Sequence, residues 1–246
     1  MIPQPVAQAI VLPVDSSATK GEFVRVVSGI GWHIDRAELG PAQNFVYFIV
    51  PETLDRLAVV DPGWQADAIV AHAARLRRPI TDIILTHHHL DHRGAVPELL
   101  AHRPARVHVH KSERAELKNE GFALDLVLHE GGDVIELGAG AAFKLLHTPG
   151  HTPGSMCIHC QGCLITGDTL FVDGCGRCDL PGGDAKAMYH SLHRVLGELP
   201  DTTLVLPGHD YGPAATSTLA EQRLSNPYLR SQQESDFIAY RLRPRG

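Results

Sequence analysis

Residues 86–92 read Thr-His-His-His-Leu-Asp-His and follow directly on the apolar run 80–85. A short apolar run of that kind reads as a buried strand. The fold must therefore deliver four imidazole or carboxylate groups, within six positions, to the end of a strand. Alternate residues of an extended segment point to one side, which puts His87 and His89 together on one ion. Asp91 and His92 lie one turn further and reach a second ion. His88 points the other way, to a supporting or packing position. Imidazole with carboxylate favours zinc, iron or manganese. The bland alternative is a solvated histidine cluster on a loop, and four ligand-type side chains directly behind a buried strand argue against it.

Two ions need ligands from elsewhere in the chain, and three candidates sit at turns. His151 lies in Thr-Pro-Gly-His-Thr-Pro-Gly, Asp168 in Thr-Gly-Asp-Thr after an apolar run, and His209 in Pro-Gly-His-Asp. Glycine and proline turns after apolar runs are where loop-borne functional groups are held. Taken alone, each of the three reads as structural. With the first motif they complete a set.

The pattern around these motifs predicts the architecture. The run 9–14 reads as an opening strand rather than a secretory leader, because residues 1–15 carry no Lys or Arg and Pro13 breaks the run. Residues 23–28 alternate loosely, as a strand does. Residues 29–40 are glycine-rich, contain Trp32 and His33, and read as a loop or hairpin that covers something. Strands are predicted over 45–50, buried on both faces, and over 57–60, which stops at Asp61-Pro62-Gly63. Helical spacing marks 66–76, 94–102 with Pro97 in its first turn, and 112–120 capped by Ser112. A strand at 107–110 lies between the last two. Further strands are predicted at 133–137, 142–146, 155–158 and 163–166, the last reached by a tight turn at Gln161-Gly162. A helix over 185–199, a strand over 203–206 and a helix over 217–224 follow, and the tail 241–245 reads as frayed. Strand–helix units giving way to hairpins fit an α+β fold of two packed mixed β-sheets flanked by helices. No linker or composition shift divides residues 1–246, which predicts one domain.

Composition removes several function classes. A chain of 246 residues, 43% of them hydrophobic, buries a full core unaided and is too apolar for disorder. A net charge of −6 lacks the basic excess of a nucleic-acid binder, and no apolar stretch is long enough for a membrane span. The five cysteines crowd between Cys157 and Cys178. An odd, clustered set speaks against a disulfide framework and for reduced thiols in the cytoplasm. Their Cys-x-x-Cys spacing raises a zinc knuckle, but Cys157 and Cys160 fall on opposite faces of one predicted strand. The expected partner is a small molecule, with no nucleic acid and no membrane.

The four segments together, with Asp61, resemble the metallo-β-lactamase superfamily in order and spacing from Asp61 to Tyr211. The resemblance implies an αββα sandwich with two divalent metal ions at one rim of the sheets, zinc first, iron or manganese as alternatives. It implies His87, His89 and His151 on the first metal, Asp91, His92 and His209 on the second, and Asp168 bridging both. Asp61 matches an acid that orients the first motif from behind, and reads equally as a turn residue before Pro62. β-Lactamases of the superfamily often carry Cys where this chain has Asp168, and Asp is the choice of its hydrolase branches.

Residues 167–183 are similar to the glyoxalase II and persulfide dioxygenase group. The former hydrolyse hydroxyacyl-glutathione thioesters. The latter oxidise glutathione persulfide with one iron, held by residues that match His87, His151 and Asp168. The Thr-His-His-His-x-Asp-His motif looks like the hydrolases, whereas Gly176-Arg177-x-Asp179, Tyr189-His190-Ser191 and Asn226-Pro227-Tyr228-Leu229 look like the dioxygenases. The lysine-x-tyrosine glutathione contact of glyoxalase II falls on Arg177 and Asp179, and its helical C-terminal segment has little chain to match it after His209. Both departures turn the expected substrate from glutathione toward other small acyl thioesters, with lactones or β-lactams as further alternatives. In the hydrolase reading a hydroxide held between two metals attacks the thioester carbonyl, and Asp91 orients it and accepts its proton. Arg177 reads either as a substrate anchor or as a loop-fixing ion-pair partner. Tyr211 reads as pocket or packing, and Trp32 and His33 as the wall of an acyl pocket or as core.

Overall fold

A computed structural model of the chain describes residues 10–11, 20–119, 125–138 and 140–243. The strands of the first half line up in chain order as one eight-stranded sheet. They are β1 (Ile10–Val11), β2 (Val24–Gly29), β3 (Trp32–Leu39), β4 (Asn44–Pro51), β5 (Leu57–Val60), β6 (Ile80–Ile84), β7 (Arg106–His110) and β8 (Leu126–His129). β1 to β5 pair antiparallel, and β5 to β8 pair parallel. Parallel neighbours need a crossover to bring the chain back. Helices α1 (Ala66–Arg75), α2 (Leu90–Arg93), α3 (Val96–His102) and α4 (Arg114–Asn119) lie in those crossovers.

The second half builds a six-stranded sheet from β9 (Val134–Glu136), β10 (Ala142–His147), β11 (Met156–Cys160), β12 (Cys163–Gly167), β13 (Leu204–Pro207) and β14 (Ser217–Thr218). Its one parallel pair, β12 with β13, is bridged by α5 (Ala185–His190). Helices α6 (Leu219–Ser225), α7 (Pro227–Arg230) and α8 (Glu234–Arg241) follow.

Three apolar layers hold these parts together. The sheets face each other through Trp32, Ile34, Tyr47 and Ile49 on one side and Phe143, Ile158 and Ile165 on the other. The outer face of the first sheet buries Phe48, Val59 and Ile83 with Ile69 of α1 and Leu99 of α3. The outer face of the second buries Leu164 and Val205 with Met188, Leu219 and Phe237. The result is the αββα sandwich, and β4, covered on both faces, is buried at all eight positions. No helix among the described residues is long and apolar enough to cross a membrane.

Several local expectations change. Of the loop or hairpin expected over 29–40 the hairpin holds, β3 pairing back on β2, but residues 32–39 form a full interior strand and cover no pocket, because Gly29, Gly31 and Gly40 mark its two turns and leave its interior free of glycine. Trp32 is fully buried against Phe143, ring centroids 5.3 Å apart, so it belongs to the inter-sheet core and to no acyl pocket. His33 is buried beside Arg25. The cap before α4 is the His110 side chain, which accepts from Ser112 N, rather than Ser112 itself. The helix expected over 185–199 is broken, passing after α5 into a π turn and a 3-10 turn. β8, α7 and α8 had no sequence signal strong enough to predict. Arg241, expected in a frayed tail, is 4% exposed within α8 and donates from Nε to Gly176 O at 2.8 Å. Of the proposed opening strand only Ile10 and Val11 are described. The rest of residues 1–15, the end of the 112–120 helix and the last residues of the tail lie outside the described residues.

Other readings hold. Gln161 and Gly162 both take left-handed backbone (φ 48° and 82°), as a two-residue hairpin turn requires. Cys157 faces the helices and Cys160 the inter-sheet core. All five thiols are free and buried. Burial pushes Cys157 up to about 11 and Cys160 to about 12. Among the described residues, no cysteine joins a cluster able to hold a metal.

Placing Trp32 in the core has a measurable consequence. Trp32→Ala is expected to cost about 3–5 kcal/mol in denaturant unfolding. A loss below about 1 kcal/mol would mean that the ring is not part of the shared core.

Candidate metal centre

Four chain segments converge at one rim of the sandwich. The 86–92 segment leaves β6, the loop carrying His151 joins β10 to β11, Asp168 follows β12 and His209 follows β13. Backbone bonds between the sheets fix their relative height, Met156 N to Thr86 O at 3.0 Å and Phe45 N to Gly208 O at 2.8 Å.

The side chains form two adjoining groups. His89 Nδ1 and His151 Nε2 stand 2.9 Å apart, and His87 completes a trio whose nitrogens lie within 4.8 Å of one another. Beside it, His92 Nε2 and His209 Nε2 stand 3.1 Å apart, with Asp91 Oδ2 at 3.7 and 3.6 Å from them. Asp168 faces both groups. Its Oδ2 is 3.4 Å from His151 Nε2, and its Oδ1 is 3.3 Å from His92 Nε2 and 3.4 Å from His209 Nε2.

The far side of each ring decides what its near side offers. His151 Nδ1 donates to Arg177 O at 2.8 Å, His209 Nδ1 to Ala42 O at 2.8 Å, and His92 Nδ1 to Asp61 Oδ2 at 2.9 Å. Carbonyl and carboxylate oxygens only accept, so in a neutral ring each Nε2 turns a lone pair into the cluster. Asp61 also accepts from Thr86 N at 2.8 Å and Thr86 Oγ1 at 2.6 Å, and sits in left-handed backbone (φ 51°) just before Pro62. It thus stands behind the first motif, and its turn geometry is part of the same arrangement.

Two buried atoms here, His87 Nε2 and Asp168 Oδ1, have no hydrogen-bond partner. Buried acceptors left without donors are costly, and each of the close nitrogen pairs, His89 with His151 and His92 with His209, can share only one hydrogen. The donor set fits divalent cations, which satisfy lone pairs without needing hydrogens. Charge agrees. Burial, reinforced by neighbouring imidazoles, holds His87 far below its usual pKa and His89 at about 4, so both are neutral. Burial also lowers His151. His92 is the exception. Burial opposes its charged form, but the Asp168 and Asp61 carboxylates outweigh this and raise it well above its usual value. Burial likewise works against the Asp168 carboxylate, and His92 and His209 pull it well below its usual range.

Three supporting residues were not singled out from sequence. Asn44 Nδ2 donates to Asp91 O at 2.9 Å and Asp91 Oδ2 at 3.1 Å, and Trp64 Nε1 donates to Asn44 Oδ1 at 2.9 Å. The only hint was a polar residue heading the apolar run 45–50. Glu113, fully buried, accepts from His88 N and Thr152 Oγ1, both at 2.9 Å, and also from Gly154 N and the His88 ring. It bolts the 86–92 segment to the loop that carries His151, and it accounts for His88, buried and turned away from the cluster.

A cleft of about 890 Å³ opens over the cluster. His89, Asp91, His151, Asp168 and His209 border it, while His87, His92 and Asp61 lie behind them. Arg177 and Tyr211 also line it. Arg177 is exposed and grips Asp179 with Nε and Nη2, both at 2.9 Å, drawing that carboxyl down to about 2. Tyr211 stacks on His209 with centroids 4.4 Å apart and is 54% exposed.

The family model of the metallo-beta-lactamase superfamily matches residues 39–209. A hydroxyacylglutathione hydrolase of Salmonella typhi is 40% identical over 195 residues, 78% of this chain and 73% of the relative. BaeB of Bacillus velezensis, described as a "Probable polyketide biosynthesis zinc-dependent hydrolase", is 30% identical over 201 residues, 81% of this chain and 88% of that protein. The crystal structure of ETHE1 from Myxococcus xanthus superposes with a TM-score of 0.77 at 31% identity, covering 86% of this chain and 92% of that one.

The Glu113 arrangement predicts an acid response. Burial opposes its charge, but the His88 contact and the Thr152 and Gly154 bonds outweigh this and lower its pKa. A depressed folded value stabilises the protein above the usual carboxylate range, and that gain is lost as pH falls through the folded value. Glu113→Gln is expected to cost about 3–5 kcal/mol at neutral pH and to flatten the acid limb of a stability-against-pH curve. An unchanged acid limb would remove Glu113 from this role.

Proposed function

The chain belongs to the metallo-beta-lactamase superfamily, and on that premise we propose that it hydrolyses small acyl thioesters at the His/Asp cluster. The observation that carries this reading is Asp168, a buried carboxylate with one oxygen toward each group of nitrogens. His87, His89 and His151 would hold one ion, Asp91, His92 and His209 a second, and Asp168 both, with zinc as the metal. Ions held there would lower the pKa of bound water to ~7 and would polarise a carbonyl oxygen.

The chain's own residues do the rest. Asp91, part-exposed at the cleft and held by Asn44, orients the attacking water and takes its proton. Asp61 acts through His92, fixing its tautomer. Arg177 and Tyr211 contact the substrate in the cleft wall. The thioester preference follows from leaving-group chemistry, since a thiolate departs unaided whereas an amine must first be protonated. The shared inter-sheet core supports one domain over residues 1–246, and the free thiols support a cytoplasmic setting.

The likeness to ETHE1, with the Gly176-Arg177-x-Asp179 segment, favours a second reading. In it His87, His151 and Asp168 would hold a single iron, and glutathione persulfide would be oxidised by molecular oxygen.

Metal-loaded protein is expected to release free thiol from an acyl thioester and to show no oxygen uptake with glutathione persulfide. Asp168→Ala is expected to lose both metal and turnover, and Asp61→Asn to lose about 10–100-fold in metal affinity or kcat/KM. One iron per chain with oxygen consumption would replace the hydrolase reading by the second. Full activity in Asp168→Ala would overturn the site.

A further inference from the structure

The walls of the cleft have a chemistry of their own, which deepens the thioester reading and rests on it. Four aromatic side chains line it in two pairs. Phe171 and Tyr211 meet edge to face at 5.4 Å beside His209, and Tyr228 of α7 meets Tyr240 of α8 at 5.2 Å. Leu90, 60% exposed, adds open apolar surface. Flat apolar groups bind such rings through edge and offset contacts.

Charge is distributed differently. Asp173 lines the cleft, and Arg177 is the one Lys or Arg among its described lining residues. Its Nε and Nη2 are both committed to Asp179. Two further arginines belong to the α8 end and neither lines the cleft. Arg241 is buried with Nε on Gly176 O, and Arg243 lies over the Tyr240 ring at 4.1 Å. Away from the metal cluster, the residues that line the cleft therefore offer rings and a single arginine, already paired with Asp179. A thiol carrying carboxylates or phosphates would give up water along that lining for at most one arginine that already holds a carboxylate, which is unfavourable.

We infer that the substrates are thioesters of aromatic or similarly flat apolar acyl groups on an uncharged thiol, with Tyr228 and Tyr240 as the acyl-recognising wall. Hydrolysis adds water across the thioester, so the products are the free carboxylic acid and the uncharged thiol. No co-reactant other than water is required.

The test is a set of four thioesters, phenylacetyl and lactoyl groups each on N-acetylcysteamine and on glutathione, given to the metal-loaded full chain. Phenylacetyl-N-acetylcysteamine is expected to have the highest kcat/KM by about tenfold or more, with KM carrying most of the difference. Tyr240→Leu is expected to raise KM for the phenylacetyl pair several-fold more than for the lactoyl pair. Asp179→Asn, which frees Arg177, is expected to raise kcat/KM for the glutathione pair. Calorimetric binding of the matching non-hydrolysable thioethers reads the same preference without turnover. Preference for the glutathione thioesters, or an unchanged phenylacetyl KM in Tyr240→Leu, would overturn this inference and leave thioester hydrolysis standing. A protein that cleaves none of the four but binds the apolar thioethers more tightly would remove the hydrolase reading and support the assigned cleft chemistry.

Discussion

A buried carboxylate has to be answered by compensating groups on every side, and Asp168 is answered from two directions at once. His92 and His209 face one oxygen and His151 the other. The backbone around it is thinned to let those groups approach. A Cβ on Gly176 would come within 1.9 Å of Asp168 O, and one on Gly208 within 2.7 Å of Asp168 Oδ1. The glycines in both turns are therefore conditions for placing the carboxylate where it is. Asp61 repeats the arrangement one layer back, in a strained left-handed turn that pays its cost by ordering Thr86 and His92.

The sandwich exists, in functional terms, to bring separate strand ends to that point. Asp168 and His209 come from a parallel pair in one sheet, the histidine-rich segment from a parallel strand in the other, and His151 from a hairpin connection. None of these segments holds a complete site. The inter-sheet core, with Trp32 and Phe143 among its largest members, sets the separation of the sheets and hence the distances within the cluster. Glu113 and the Asn44–Trp64 pair then hold the 86–92 segment and Asp91 in place.

Most of the cluster was legible in sequence because its chemistry is local. His87, His89, Asp91 and His92 stand out by spacing, whereas His151, Asp168 and His209 sit at turns that read as structural alone and join the set through the first motif and the family resemblance. The structure brings all seven together. The strands were legible where apolar runs were bounded by turn residues, as at 57–60 and 163–166. Residues 32–39 were misread because glycines at both ends of a strand look like one glycine-rich loop. Asn44, Trp64 and Glu113 were missed because their roles lie in partners far along the chain, and a polar residue's distant partner leaves no local pattern. Arg177 and Tyr211 were legible as pocket candidates, but the Tyr228–Tyr240 part of the cleft wall was missed for a related reason. α7 is one turn long and α8 weakly amphipathic, so Tyr228, Tyr240 and Arg241 gain their order only by docking through Phe237.

On the proposed reading the two histidine groups are two cation sites sharing Asp168. Anomalous diffraction at the zinc edge, from crystals of the zinc-loaded protein, tests it most directly. Two peaks are predicted, one among His87, His89 and His151 and one among Asp91, His92 and His209, with Asp168 between them. A single peak at the first group under saturating zinc, or peaks away from Asp168, would contradict it.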